Sequence, residues 1–225
     1  MLFLAVFCGF FAENQREHLI ENRKEIKYMR SLIEDLKEDT SRMNYSIKRL
    51  ENNIKNTDSL VTHYVQGSND KNYERNMAWF GLFAGNSVDV VFSDRTSSQL
   101  KGTGAMRLVR KKEVADSILL HWNNQIRIEQ IHDRFEINRV EQRRIGYKTF
   151  NWYPVFYSFN KETSLENLHL EKFTGISNKE TLNEFVNACS NLYSGAVLQY
   201  LPFLKKELLL ANNLMSLIRN RYHIE

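Results

Sequence analysis

Glycine and proline are scarce in this chain of 225 residues, which contains nine glycines and two prolines. Folds rich in β-sheet need many turns, and turns use both of these residue types. The scarcity therefore argues against a sheet-rich fold and favours long helices with few interruptions. We predict an all-α fold.

Cysteine is also scarce, and the two cysteines, Cys8 and Cys189, lie far apart in the sequence. A disulfide framework or a zinc site would need clustered ligands. Neither is expected here, no cofactor is predicted, and the cysteine content does not indicate the cellular compartment.

Charge of one sign does not dominate, since 31 basic residues face 27 acidic residues in mixed order, for a net charge of +4. Such mixing is typical of solvated helix faces, so we expect no nucleic-acid partner. The densest basic cluster fits a solvated loop or helix end, although it could bind phosphate, lipid headgroups or an acidic partner. It consists of Arg107, Arg110, Lys111 and Lys112.

An uncharged apolar stretch opens the chain, but it is short: residues 1–12 have the sequence MLFLAVFCGFFA. In a helix this stretch spans roughly 18 Å, whereas a bilayer core is about 30 Å thick. A secretory signal is not expected, because it would need a basic start and a cleavage site. A lipoprotein signal is not expected either, because it would need a small residue before Cys8. A buried N-terminal helix is one alternative. We favour a partial transmembrane segment over residues 1–12, the C-terminal half of a span whose start is missing.

This segment predicts a single-pass protein of the cytoplasmic (inner) membrane. The side of the membrane on which the body lies is left open. Basic residues follow the apolar stretch, and the positive-inside rule would hold the body in the cytoplasm. A different flank upstream of Met1 would reverse this orientation, and the family resemblance described below favours the reversal. The basic residues concerned are Arg16, Arg23, Lys24, Lys27 and Arg30.

Residues 13–66 contain no glycine or proline and carry apolar residues at seven-residue spacing, which predicts one long coiled-coil-like helix of roughly 80 Å. The a positions are Leu19, Ile26, Ile33, Thr40, Ile47, Ile54 and Val61, and the d positions are Asn22, Met29, Leu36, Met43, Leu50, Thr57 and Tyr64. This seam over residues 19–64 could form a parallel homodimer. It could equally pack on other helices of the same chain, because Leu32 and Leu60 at g positions widen the apolar face.

Several stretches resemble an uncharacterised family of bacterial single-span membrane proteins. They are residues 9–17 (GFFAENQRE), 28–40 (YMRSLIEDLKEDT), 99–110 (QLKGTGAMRLVR), 114–118 (VADSI) and 211–225, which end in IRNRYHIE. The resemblance implies a membrane anchor, a long charged helix and a helical remainder. It implies no activity.

The rest of the chain predicts a linker and then a helical bundle. Residues 67–76 are polar and turn-prone and form the predicted linker, and residues 77–225 form the bundle region, which is expected to pack against the long helix. Helices are expected after Ser93 or Asp94 until Gly102–Gly104, over residues 112–150, from Asn178 through Tyr200, and from about Pro202 to Tyr222. Residues 88–92 could form a strand, although no partner strand is evident.

The sequence contains no convincing catalytic signature, so no catalytic, cofactor-binding or metal-binding residue is assigned. Two Glu-x-x-His pairs, Glu129 with His132 and Glu166 with His169, would share helix faces as in di-iron bundles, but further inward-facing glutamates are needed. Gly102–Gly104 lacks the Gly-Lys-Ser/Thr of a phosphate loop. Core packing is the expected role of the aromatic residues around Pro154, which are Trp152, Tyr153, Phe156, Tyr157 and Phe159.

We therefore expect a non-enzymatic, membrane-anchored helical protein that acts as an interaction, scaffold or sensing module with an unknown protein partner. A helical-bundle metal-binding protein or enzyme that uses the Glu-x-x-His pairs is one alternative. A soluble cytoplasmic helical scaffold, with the first helix buried, is another.

Overall fold

The computed structural model describes residues 2–67, 72–153, 156 and 178–224. The prediction of an all-α fold is confirmed, because the regular elements in these ranges are helical. They are α1 (Leu2–Gln66), α2 (Tyr73–Ala84), α3 (Arg95–Gly102), a 3₁₀ turn (Ala105–Leu108), α4 (Lys112–Thr149), α5 (Lys179–Gly195), a π turn (Ala196–Tyr200) and α6 (Leu201–Tyr222).

Helix α1 is continuous over 65 residues, as the absence of glycine and proline after residue 12 predicts. It ends at Gly67, whose φ of 80° lies in the left-handed region that glycine adopts without strain. The Gly67 amide donates to the His63 carbonyl at 3.2 Å and so satisfies one of the last carbonyls of the helix. Across the described ranges, no helix combines the length and the apolar character that crossing a bilayer requires. The partial transmembrane segment stays a prediction.

The chain forms two compact units, each built from several segments. Unit 1 consists of Met1–Met43, Val91–Ile126 and Lys206–Glu225, and unit 2 consists of Asn44–Val90 and Arg127–Lys205. In unit 1, the core side chains of α1, α3, α4 and α6 are Met29, Leu32, Ile33, Leu36, Leu100, Val114, Ile118, Trp122, Ala211, Leu214 and Ile218. The predicted a and d positions supply much of the α1 contribution, so this part of the heptad seam is buried within the chain.

In unit 2, a core of large side chains lies among α1, α2, α4 and α5. It contains Leu60, Met77, Leu82, Ile145, Phe150, Trp152, Leu182, Phe185 and Val186. A Cβ atom placed on Gly81 would lie 2.5 Å from the Phe185 ring, so only glycine permits this approach of α2 to α5. The indole of Trp152 donates to the Ala78 carbonyl at 3.0 Å, which satisfies its buried N–H group.

The break predicted between Tyr200 and Pro202 is replaced by a π turn within a helical run from Lys179 to Tyr222. The Leu201 amide bonds to the Ala196 carbonyl, five residues earlier. A proline inside an α-helix removes one hydrogen bond and its ring crowds the carbonyl four residues before it. The wider π turn directly before Pro202 accommodates both effects, so the helical run does not stop.

Candidate functional site

Asp35 of α1 caps another helix of unit 1. Its carboxylate accepts the Thr96 amide hydrogen at 3.0 Å and contacts the Arg95 guanidinium at 2.7 Å. Thr96 lies in the first turn of α3, where amide groups have no partner within the helix. Asp94 occupies the N-cap position but makes no side-chain capping bond. The buried carboxylate of Asp35 therefore takes over the role of the cap from a distant part of the sequence.

Two further side chains of α1 bind the irregular segment that precedes α3. The Ser93 amide donates to Asp39 Oδ1 at 2.7 Å, and Arg42 Nη1 donates to the Val91 carbonyl at 3.0 Å. Asp35, Asp39 and Arg42 lie four and three residues apart, so they occupy one face of the helix. This polar row supplies partners for backbone groups that have none in regular structure.

Asp39 also belongs to a buried polar network of unit 1, formed with His121, Gln125 and Glu207. Gln125 Nε2 lies 3.3 Å from Asp39 Oδ2 and 3.0 Å from His121 Nε2. His121 Nδ1 bonds to Glu207 Oε1. The Gln125 amide donates to Asp39, and His121 connects Gln125 to Glu207, so one chain of hydrogen bonds joins α1, α4 and α6.

Burial dominates the electrostatics of this network. It raises the pKa of the Asp39 carboxyl, and the Ser93 bonds and the nearby His121 and Arg42 lower it only in part. Glu207 Oε2 is buried and has no hydrogen-bond partner among the described residues. Because Asp39, His121 and Glu207 are 1–3% exposed, the network does not contact solutes in this conformation.

Glu25 of α1 forms hydrogen bonds with two other segments of unit 1, the one before α4 and the end of α6. Its Oε1 accepts the Arg110 amide hydrogen at 2.9 Å and the Tyr222 hydroxyl hydrogen at 2.5 Å. Burial, and then the bond to Glu25, raise the pKa of Tyr222. Arg221 pairs with Glu113 at 2.5 Å nearby. The segment before α4 and the end of α6 are thus held at the level of residue 25 of α1.

A second polar row of α1 lies in unit 2, where the α1 side chains donate hydrogen bonds to backbone carbonyls. Side chains spaced three and four residues apart bind three carbonyls of the segment after α2, namely Ser46 to Asp89 (2.6 Å), Arg49 to Ser87 (2.9 Å) and Asn53 to Asn86 (2.7 Å). The possible strand at residues 88–92 is not a strand. In place of a strand partner, α1 side chains bond backbone groups of this region.

The α4 and α5 helices of unit 2 also enclose a buried polar group and a shallow cleft. Gln142 Nε2 donates to the Gly81 carbonyl at 2.9 Å and to Cys189 Sγ at 3.5 Å. Burial raises the pKa of the Cys189 thiol to about 12, so the thiol is unreactive. A cleft of about 270 Å³ beside the π turn contains Arg134 and Gln199. It lies below the range of about 300–1,000 Å³ that small-molecule sites usually have.

The structure describes one of the two candidate metal pairs, Glu129 with His132, and gives no support for a metal site there. Glu129 is exposed, and His132 Nδ1 lies 3.0 Å from the Tyr200 hydroxyl. Glu166 and His169 lie outside the described residues. Within the described part of the chain, no three His, Cys, Asp or Glu side chains are placed to bind a metal ion.

The remaining motifs have ordinary structural positions. Gly102 ends α3, as predicted, and Trp152 lies in the unit 2 core. Tyr153 and Phe156 are exposed, whereas Tyr157 and Phe159 lie outside the described residues. In the basic cluster, Arg110 and Lys111 have partners in α1 and α6, and Arg107 and Lys112 are exposed.

The polar residues at g positions of the heptads are the functional feature that the sequence analysis missed. Glu25, Asp39, Ser46 and Asn53 are buried, and they share the g positions with the apolar residues Leu32 and Leu60. The signal was a fixed seven-residue spacing of residues that can each bind a backbone group.

No family model, no curated protein and no solved structure matches this chain. The resemblance to bacterial single-span membrane proteins stays a prediction. Only the geometry of the described residues therefore bears on the function of this chain.

Proposed function

We propose that this chain is a membrane-associated helical module that acts as a scaffold or interaction partner, without catalysis, at the cytoplasmic membrane. The observation that carries the proposal is the exposed apolar end of α1. Val6, Phe7, Phe10 and Phe11 are 57–78% exposed, and every residue from 6 to 20 is exposed. A single exposed apolar side chain is ordinary, but a cluster of large ones indicates a partner.

Lipid fits this apolar end well. Burying four such side chains would contribute roughly 6–12 kcal/mol. Charge then begins abruptly, with Glu13 and Arg16 forming an ion pair at 3.1 Å. An apolar helix end followed by charged residues is typical of a segment that leaves a bilayer.

Vesicle flotation tests the proposal directly. The 225-residue chain should float with phosphatidylcholine vesicles, whereas Phe7→Ser/Phe10→Ser/Phe11→Ser should remain in solution because the apolar end no longer favours lipid. The matched control is Leu198→Ser/Leu209→Ser, which removes two side chains that are 73% and 61% exposed elsewhere. The control should float. Equal flotation of both variants, or no flotation of the unmodified chain, would contradict the proposal.

The protein partner that we propose is unidentified, and the homodimer stays a separate proposal. The a and d side chains from Met29 to Leu50 are largely buried within the chain, whereas Leu19 is 59% exposed and Asn22 is exposed. A second copy would therefore meet the first positions of the seam without any rearrangement of the chain.

The two alternatives from the sequence make different predictions. A metal protein or enzyme would contain bound iron, manganese or zinc on elemental analysis, and the positions of Glu129 and His132 give that alternative no support. A soluble scaffold would fail to float with vesicles.

A further inference from the structure

We propose that unit 1 carries a binding surface for anionic lipid headgroups, formed by Arg107 and Lys112 together with Arg23 and Lys24 of α1. This inference rests on the proposed function, in which the apolar end of α1 brings unit 1 to the bilayer. It adds a lipid class and a set of contact residues. The occupant is a membrane surface with negatively charged phospholipids.

Contacts between Arg110 and α1 show where along the helix this surface lies. Arg110 Nη2 lies 3.5 Å from the His18 carbonyl and 3.4 Å from Glu21 Oε2. His18 is six residues beyond Ala12, which corresponds to about 9 Å of helix rise. The headgroup layer adds about 5–8 Å on each side of the bilayer core, and surface charge acts over a further 8–10 Å. The segment around Arg110 therefore lies within reach of headgroups when the apolar end is inserted.

The basic cluster contains two kinds of side chain: some contact other parts of the chain, and others are exposed. Arg110 pairs with Glu21, and Lys111 contacts the Arg221 carbonyl and lies 4.5 Å from the centre of the Tyr222 ring. Arg107 and Lys112 are exposed, and within the described ranges neither forms an ion pair. The fold thus holds the backbone of the cluster rigidly and leaves two cations free to bind.

The position of Lys112 is electrostatically unfavourable without an anion. It is the first residue of α4, a helix of 38 residues, and two more cations precede it. The N-terminus of a helix carries partial positive charge and favours anions. Cations there have no evident stabilising role, and a phosphate group would offset their repulsion.

Helix α1 adds cations on its other side. Arg23 and Lys24 are exposed, and the heptad places them at e and f, whereas Glu25 and Glu21 lie at g and c. Arg110 engages both of these carboxylates, which reduces their effect on the local potential. Exposed cations of α1 and of the segment before α4 therefore lie at a similar position along the axis of α1.

Binding of the 225-residue chain to vesicles with and without phosphatidylglycerol tests the site. Arg107→Gln/Lys112→Gln should bind neutral vesicles like the unmodified chain. Its affinity for anionic vesicles should fall roughly 25-fold, at about fivefold for each charge near the surface. Lys48→Gln/Lys55→Gln removes the same charge from exposed positions of unit 2 and should have little effect. Arg107→Lys/Lys112→Arg, which keeps the charge, should retain the anionic preference.

Salt provides a second measurement. Raising the ionic strength from about 0.1 M to about 1 M shortens the screening length from about 10 Å to about 3 Å. This change should remove the anionic preference of the unmodified chain, and it should lower the affinity of Arg107→Gln/Lys112→Gln for anionic vesicles by a smaller factor, because only Arg23 and Lys24 remain to be screened. Equal losses in the two glutamine variants, or an unchanged preference in Arg107→Gln/Lys112→Gln, would overturn the headgroup site.

Failure of the proposed function would look different. In that case no variant would bind neutral vesicles, and the Phe7→Ser/Phe10→Ser/Phe11→Ser variant would bind anionic vesicles like the unmodified chain. A loss confined to Arg107→Gln/Lys112→Gln would still support the headgroup site under that outcome.

Discussion

Replacing Asp35 by alanine should destabilise unit 1 more than any change of an exposed acidic residue of α1. The Asp35 side chain is 4% exposed and accepts the amide hydrogen of Thr96, which is fully buried. The Asp35→Ala variant leaves that N–H group without a partner in the interior, and it leaves α3 without a cap, because Asp94 does not provide one.

The size of the effect follows from these contacts. An unsatisfied buried amide costs about 1–3 kcal/mol, and loss of a helix cap costs about 1 kcal/mol, with part of that cost shared between the two. The ion pair adds little, since the Arg95 side chain is 64% exposed to solvent. We expect a loss of about 3 kcal/mol in the free energy of unfolding, or roughly 6–12 °C in Tm for a chain of this size.

Denaturant unfolding followed by far-UV circular dichroism measures this loss, and Glu34→Ala is the matched control. Glu34 is one residue away on α1, its side chain is 65% exposed, and it pairs only with Lys37 at 2.9 Å. The control should change the free energy of unfolding by less than about 0.5 kcal/mol. Asp35→Asn keeps an acceptor oxygen for Thr96 and should fall between the two. An Asp35→Ala variant as stable as Glu34→Ala would refute the capping argument.

Two other predictions concern titration and reactivity. Because burial raises the pKa of Asp39 above 3.8, the folded state binds this proton more tightly than the unfolded state. The contribution of Asp39 to stability should therefore fall as the pH rises through 3.8, and denaturant titrations should show the difference between the unmodified chain and Asp39→Asn moving in favour of the variant; a constant or opposite difference contradicts the burial argument. Cys8 is exposed, whereas Cys189 is buried with a pKa of about 12, so mass spectrometry should find one alkylated thiol in the native chain at neutral pH and two in denaturant. Equal labelling rates in the native chain would show that the core opens readily.

The long helices were predictable because their signals are local. Scarce glycine and proline and the seven-residue spacing predicted α1, and the structure places its end at Gly67. The prediction over residues 112–150 matches α4, and the Asn178 cap is confirmed by a 2.8 Å bond from the Thr181 amide. Each of these signals depends on neighbours within about one helical turn.

The irregular segments before α3 were not predictable in this way. A short apolar run such as residues 88–92 fits a strand or a buried helix equally well by periodicity. Its backbone partners lie far away in sequence: Asp89 bonds to Ser46, and Thr96 bonds to Asp35. No property of the segment itself indicates that helical side chains will serve as its partners.

Pro202 shows a local rule that is sound but incomplete. The rule that proline interrupts a helix predicted separate elements, and the interruption is present as the bond from Leu201 to Ala196. What the rule omits is that one wide turn absorbs the disruption. Packing on both sides of the turn, with Tyr200 and Leu204 fully buried, holds the helical run together.

The polar g positions of α1 explain how one helix can bury charged and polar residues at a reduced cost in stability. A buried carboxylate such as Glu25 or Asp39 is costly unless each oxygen has a partner. In unit 1 the amides of Arg110 and Ser93 provide partners at 2.9 Å and 2.7 Å. Sliding either segment by one residue along α1 would break these bonds and leave each buried carboxylate with one hydrogen bond fewer. A purely apolar seam would tolerate such a slip better. The polar residues at the g positions of α1 therefore specify how the chain folds onto its own long helix.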